Sequence, residues 1–237
     1  MQSTGVLNDN QHWMIFSKMK PNTQLIPFCG YPIVKIETGE LLYNNELNFL
    51  KALDTREQIE YIDESTNTAF RLTKGVHILD NVELLRVRDF IWNNFCEYVD
   101  DVLEIENQFY ICNSWATFQK KGNFHDSHHH TNAIYSAVFY VEADEDSLEF
   151  TSPLAKIHEG FNFSYNVKDY NVFNSRAWRV PVKTGDMVIF PGIIYHGSEI
   201  HQSDTNRITI GSSFFINGEI GKDYNYNAIN IADANDR

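Results

Sequence analysis

The chain is short of cysteine, short of positive charge, and has no long apolar run. Its three cysteines, Cys29, Cys96 and Cys112, are odd in number, widely spaced and form no CxxC pair. That argues against a disulfide framework or a zinc ribbon and suits a cytoplasmic setting. No stretch of about 18 apolar residues occurs, so no transmembrane helix is expected. The opening MQSTGVLNDNQHW has neither a charged n-region nor an apolar h-region, so no signal peptide is read there. Lys and Arg total 19 against 32 Asp and Glu, a net charge of −13. A general nucleic-acid binder needs excess cationic side chains to meet phosphates, so that class is disfavoured. Two small basic clusters, Lys120 with Lys121 and Arg176 with Arg179, read as solvated surface. A local pocket for an anionic small molecule is compatible with this balance. No internal repeat or low-complexity linker divides the sequence.

Apolar residues, by contrast, make up 43% of the 237 residues and aromatics 14%, enough for one sizeable core. The chain is read as a single domain, 1–237. Within it, 1–106 is a mixed α/β supporting region, 107–217 a β core, and 218–237 a tail with no clear signal despite Tyr224 and Tyr226. Pro32 to Ile36 reads as a short strand. Asn44 to Leu53 reads as a helix with Leu47, Leu50 and Leu53 on one face. A second helix is expected after Asp80, with Asp80 as cap and Glu83 completing a capping box. Leu84, Val87, Ile91, Phe95, Tyr98, Val99 and Val102 recur along it at helical spacing.

From Gln108 the pattern turns to strands. QFYICNSWATF, the apolar run Ala133 to Val141, Leu148 to Phe150, Ala177 to Val182, MVIFP and the segment from Arg207 to Asn217 are the candidates. EADEDS reads as a turn, Gly185–Asp186 as a tight turn, and Pro191–Gly192 as a strand stop. Many short strands between turn signals give a mainly β (α+β) protein, a sandwich or jelly-roll barrel with N-terminal supporting helices.

The chemistry concentrates in GNFHDSHHHTN and two later positions. In an extended strand, His128 and His130 point the same way and can share one metal. His196 follows a strand and a Pro–Gly turn, which returns the chain to a barrel rim. Neutral imidazoles suit iron, copper, zinc and nickel, and an open His-rich site suits Fe(II) with O₂. Strand parity sends His125 and His129 to the opposite face, and His201 reads as a bystander. Asp126 shares the parity of His128 and is a candidate carboxylate ligand. Arg207 and Thr209 point one way from RITIGSSFFIN, and Ile208 and Ile210 the other. If the apolar pair packs on a neighbouring layer, Arg207 faces the barrel interior, where an unpaired charge is costly. Its partner is then either a carboxylate co-substrate beside the metal or an internal Asp or Glu; the remaining reading is simple exposure at the start of the strand. Trp115, Tyr135, Tyr140 and Tyr195 are aromatic candidates for a pocket wall.

The ordered set Trp115, Lys121–Gly122, His128-x-His130, SAVFY from Ser136, Gly185, FPG from Phe190, His196 and RITIGSSFFIN resembles a known family. It is similar to the 2-oxoglutarate/Fe(II)-dependent oxygenases, in the branch with an HxH…H…R pattern, over roughly half the chain. The resemblance implies a double-stranded β-helix, with Fe(II), 2-oxoglutarate and O₂ as cofactor and co-substrates. His128 and His196 would hold the iron, with either His130 or a carboxylate such as Asp126 as the third ligand; Arg207 would hold the far carboxylate of 2-oxoglutarate, and Thr209 would support it. Asn113 and Trp115 fall where the family has an N-x-W element in the pocket. The implied reaction is hydroxylation of a small-molecule or protein side-chain substrate, with release of succinate and CO₂. One departure is His130, which stands where most of the superfamily has a carboxylate. Two other readings compete. Gly122 with His128-x-His130 also matches the opening of a cupin motif, although Ile134 and Tyr135 stand where its Glu would be. A non-catalytic jelly-roll binding module is the other.

Overall fold

The structure is a computed structural model that describes residues 5–6, 30–61, 67–152, 166–171, 173–221 and 228–231. Cys29, Tyr224 and Tyr226 lie outside the described residues. Two antiparallel sheets face each other. The smaller contains β1 (Gly5–Val6), β6 (His125–His128), β8 (Asp146–Thr151), β9 (Ala177–Val182) and β11 (His196–Ser198), in the order β1-β9-β8-β11-β6. β1 joins it as a parallel edge strand. The larger contains β2 (Val34–Glu37), β3 (Thr55–Tyr61), β4 (Asn67–Thr73), β5 (Gln108–Gln119), β7 (Tyr135–Glu142), β10 (Asp186–Pro191) and β12 (Arg207–Ile220). Its order is β2-β10-β7-β12-β5-β4-β3, and β13 (Ile229–Ile231) pairs with β12. This is the expected jelly roll. The β3–β4 hairpin, which the sequence pattern does not announce, extends the larger sheet.

Strand alternation builds two cores from the same strands. Ala137, Phe139 and Val141 of β7, Met187 and Ile189 of β10, and Ile208, Ile210 and Phe214 of β12 pack outward against helices. The helices are α1 (Asn44–Ala52), which supplies Leu50, and α2 (Leu85–Glu97), which supplies Val87, Ile91 and Phe95. Phe95 lies flat on Phe214, with ring centroids 3.6 Å apart. Burying that three-residue stripe of α2 contributes on the order of 6 kcal/mol, an upper figure because unfolded chains are not fully extended. The alternate residues, Tyr140 of β7 and Val188 and Phe190 of β10, face inward against Leu148, Phe150 and Val182 of the smaller sheet.

Two expectations about the second helix are corrected. It starts at Leu85 after two 3₁₀ turns, Ile78–Asp80 and Val82–Leu84, so Asp80 ends the first turn and makes no side-chain cap. Asp80 instead meets Arg88 at 3.4 Å, and Glu83 is exposed. The helix then widens into a π-helical turn, Tyr98–Leu103. That turn delays the helical phase, so Val102 is exposed while Tyr98 and Val99 are buried. Helix α1 is tied to α2 by Glu46, whose Oε2 accepts the Tyr43 amide at 2.7 Å and which is held by the Arg86 guanidinium.

Candidate metal centre

His128 ends β6 and His196 begins β11, and the two are direct register partners. His130 lies two residues past the end of β6, where its amide donates to the Gly192 carbonyl at 2.9 Å. His128 and His130 fall on one side, with rings 5.3 Å apart, and His129 between them turns the other way toward Tyr195, the arrangement that i, i+2 spacing predicts, carried one step past the hydrogen-bonded strand. One nitrogen of each of His128, His130 and His196 falls within 4.8 Å of the others. Each ring is oriented from behind. His128 Nδ1 faces the Asp126 carbonyl at 2.8 Å, and His196 Nδ1 faces the Ile194 carbonyl at 2.9 Å. A carbonyl only accepts, so these Nδ1 atoms carry the proton and Nε2 presents its lone pair. His130 Nδ1 meets the hydroxyl of Ser136, which is fully buried, at 2.7 Å. Metal-binding histidines are characteristically held by such partners. Burial, then repulsion from the neighbouring rings, pushes the pKa of His196 down to about 2 and of His130 to about 3; burial also lowers His128. All three are neutral at ordinary pH, the form that binds metal.

Among the other histidines, His125 departs from its parity. Between His196 and Ser198, β11 spans two residues where β6 spans three, so Ser198 pairs with His125. This bulge brings His125 to the face of His128, where the rings stack at 4.0 Å, and His125 lines the same cavity. It is a wall residue and not the opposite-face bystander expected. Gly197 permits the close approach, since a Cβ there would sit 2.7 Å from the His125 carbonyl oxygen. Asp126 is exposed, caps the Ser127 amide with its carboxylate, and is no member of the metal-competent group. His129 lies against Tyr195 at the surface. His201 is buried, with Nδ1 3.4 Å from the Asp146 carboxylate and Nε2 2.8 Å from the Thr205 carbonyl, so it packs beside the partner of Arg207.

Arg207 is 1% exposed and lines the same cavity as the histidines. Its Nε donates to Gln119 Oε1 at 2.8 Å, and Nη1 to Asp146 at 2.5 Å. Nη2 donates to Ser198 Oγ at 2.9 Å and to the Glu199 carbonyl at 3.1 Å. Of the two partners the sequence left open, an internal carboxylate is present: Asp146, inside the run read as a turn, opens β8. Ser198 stands two residues from His196, so the guanidinium is anchored roughly 7 Å along β11 from that ring. Thr209 Oγ1 and Thr117 Oγ1 meet at 2.5 Å across β12 and β5. Trp115 lines the cavity edge-on to His130 at 5.0 Å, and Gly211 leaves room for its indole. Tyr140 also lines it. Asn113 and Tyr195 do not, and Tyr135 packs on Phe95 and Phe109 in the outer core. The cavity holds about 50 Å³. From the two basic clusters, Lys121 pairs with Asp204, and Arg179 with Glu149 and Glu199.

Residues 113–213, which carry every histidine of the trio and every residue lining the cavity, match the family described as "Putative 2OG-Fe(II) oxygenase". No curated protein matches the sequence. Among solved structures, the chain is similar to the non-heme alpha ketoglutarate dependent epimerase SnoN of nogalamycin biosynthesis. The identity is 9% and the TM-score 0.52, over 77% of this chain and 78% of that one. It is similar to HygX from Streptomyces hygroscopicus with nickel and 2-oxoglutarate bound, at 12% identity and TM-score 0.50, over 88% and 87%. It is also similar to AviO1 from Streptomyces viridochromogenes Tue57, at 12% identity and TM-score 0.50, over 78% and 89%. At these identities the likeness establishes the fold.

Proposed function

We propose that this chain, whose residues 113–213 are of the 2OG-Fe(II) oxygenase type, is an Fe(II)- and 2-oxoglutarate-dependent oxygenase hydroxylating a small molecule or a protein side chain. The observation that carries the reading is the trio His128, His130 and His196 on the wall of the cavity that Arg207 also lines, with the tautomers of His128 and His196 fixed by backbone carbonyls. The donor set fits Fe(II), which accepts imidazole and leaves positions open for O₂ and a chelating ligand. Bound together, Fe(II), 2-oxoglutarate and O₂ supply the oxidation, in which O₂ is shared between the substrate hydroxyl and succinate while CO₂ leaves.

The chain's own residues hold and orient. His128, His130 and His196 would hold the metal. Arg207 and Thr209 would hold the distal carboxylate, and Trp115 would wall the cavity beside His130. Charge supports the pairing of a dication with a dianion. The three histidines are neutral, and Arg207 is balanced by Asp146, so the lining contributes no net charge. Fe(II) and 2-oxoglutarate then neutralise each other. In an HxD site the carboxylate touches the metal; here Asp146 restores that charge from behind Arg207. A single domain over 1–237, working in the cytoplasm, belongs to the same proposal.

One observation favours a second reading. Because Asp146 already pairs with Arg207, the arginine could be structural in a cupin-like metal enzyme that uses no 2-oxoglutarate. An anaerobic titration of the metal-free protein with Fe(II), then 2-oxoglutarate, separates the two. A saturable visible metal-to-ligand charge-transfer band is the expected result. Iron binding without any band would overturn the 2-oxoglutarate assignment and favour the second reading; absence of iron binding would overturn the metal centre.

A further inference from the structure

Gln119 holds a buried donor for which no acceptor is found among the described residues. Its side chain is 3% exposed, lines the same cavity as the histidines, and faces Arg207 as its register partner across β5 and β12. The Arg207 Nε–H donates to the amide oxygen at 2.8 Å. Guanidinium groups only donate, so the amide must present its oxygen there, and its orientation is settled by chemistry. The NH₂ end is then turned elsewhere, and Nε2 is buried with no hydrogen-bond partner among the described residues. Buried unpaired donors are rare in folded proteins because each forfeits its bond to water. On a cavity wall, a ligand acceptor resolves the deficit.

We propose that Gln119 Nε2 donates to the distal carboxylate of a 2-oxo dicarboxylate held beside Arg207. This assignment rests on the 2-oxoglutarate reading above. The state of Arg207 makes a second donor necessary. Its guanidinium makes four hydrogen bonds to protein acceptors, one of them to the Asp146 carboxylate, and it has only five N–H groups. It cannot present a two-pronged fork to a further carboxylate without giving up a partner. The Gln119 amide supplies the missing prong without adding charge. The Thr117–Thr209 hydroxyl pair, at 2.5 Å, uses one of its two protons internally and leaves the other to donate.

The test compares wild type, Gln119→Leu and Gln119→Glu, each loaded anaerobically with Fe(II). Each is titrated with 2-oxoglutarate and, separately, with 2-oxovalerate, which carries the same chelating end but no distal carboxylate. Losing a hydrogen bond to a charged acceptor is expected to weaken 2-oxoglutarate binding about tenfold or more in Gln119→Leu. Gln119→Glu keeps an acceptor for Arg207 but sets a negative charge against the ligand, so its loss is larger. Iron stoichiometry and 2-oxovalerate affinity stay at wild-type values. Unchanged 2-oxoglutarate affinity in both variants overturns the role of Gln119 and leaves the parent reading intact. Equal weakening toward both acids also overturns it, because Gln119 would then act through cavity shape. A wild type that binds Fe(II) but not 2-oxoglutarate overturns the parent reading and this assignment together. A measurement on the wild type guards against misfolded variants. With Zn(II) in place of iron, the Gln119 side-chain amide resonances should shift and gain exchange protection with 2-oxoglutarate and not with 2-oxovalerate. Unmoved resonances on binding overturn the proposal.

Discussion

Replacing Arg207 with Met leaves a carboxylate in the interior without its cation, and the cost can be worked from the structure. Asp146 has a side chain 9% exposed and Arg207 one that is 1% exposed, so solvent screens neither well. Removing one member of a buried pair typically costs about 3–5 kcal/mol, since the surviving charge stays desolvated. Gln119 Oε1 and Ser198 Oγ also lose a donor. For a chain of this size each kcal/mol moves the midpoint by roughly 2–4 °C, so Arg207→Met should melt about 6–20 °C below wild type. The double variant Arg207→Met/Asp146→Asn removes both charges and should recover most of that loss, a coupling of about 2–3 kcal/mol. The assay is thermal unfolding followed by circular dichroism at pH 7 with a chelator present, so that metal linkage does not contribute. Raising salt from 50 to 500 mM should leave the differences standing, because a buried pair is little screened. A midpoint for Arg207→Met within 2 °C of wild type, or a double variant that loses the sum of its single losses, would refute the account of a desolvated, mutually dependent pair.

Three further outcomes are expected. His196→Ala should abolish stoichiometric iron binding measured by elemental analysis; unchanged stoichiometry contradicts the ligand set. Gly211→Ala places a methyl 2.5 Å from Trp115 Cε2. Overpacking of that kind costs about 1–3 kcal/mol, and it should displace the indole from His130, visible as altered Trp fluorescence; an unchanged spectrum and midpoint argue against the contact. Glu46→Gln probes pH. Burial alone would raise the Glu46 pKa, but the Arg86 bonds, the Tyr43 amide and the Arg86 charge outweigh it and hold the carboxyl below its usual range. A depressed folded-state pKa gives stability that is present above the unfolded value of about 4.3 and lost as pH falls through the folded one. The gap in melting temperature between wild type and Glu46→Gln should therefore be constant from about pH 5.5 to 8 and shrink as pH falls below about 4.3; a gap that does not shrink on acidification would contradict it.

Much of this was legible where one residue type repeats with one period. The alternation in RITIGSSFFIN separates Ile208 and Ile210 from Arg207 and Thr209, because the strand is buried on both faces and each face has its own chemistry. The stripe Val87–Ile91–Phe95 gives α2, although the start of the helix depends on two 3₁₀ turns that no cap residue signals. The β3–β4 hairpin escaped because TREQIEY is polar and lies at the sheet edge, with Ile59 and Tyr61 exposed. Parity misplaces His125 because it fails at a bulge, and the bulge depends on the pairing with β11, far along the chain. Asp146 and Gln119 carried no signal: one sits in an acidic run that reads as a turn, and the other is an ordinary glutamine at a strand end. A candidate metal trio announces itself by histidine spacing, whereas the partner of a buried arginine is settled only by which strands meet.

Strand β12 carries Phe214 under α2 on one face and Arg207 and Thr209 in the cavity on the other. The two faces share one set of backbone hydrogen bonds to β5 and β7. Regions of a protein open as cooperative units, and the most deeply packed strands open last. The Arg207 end of the cavity is thus built on a strand expected to be among the slowest to exchange. Heat should extinguish ligand binding there only at the global transition, with no earlier local melting, and amides 207 to 214 should set the upper limit of protection in hydrogen exchange.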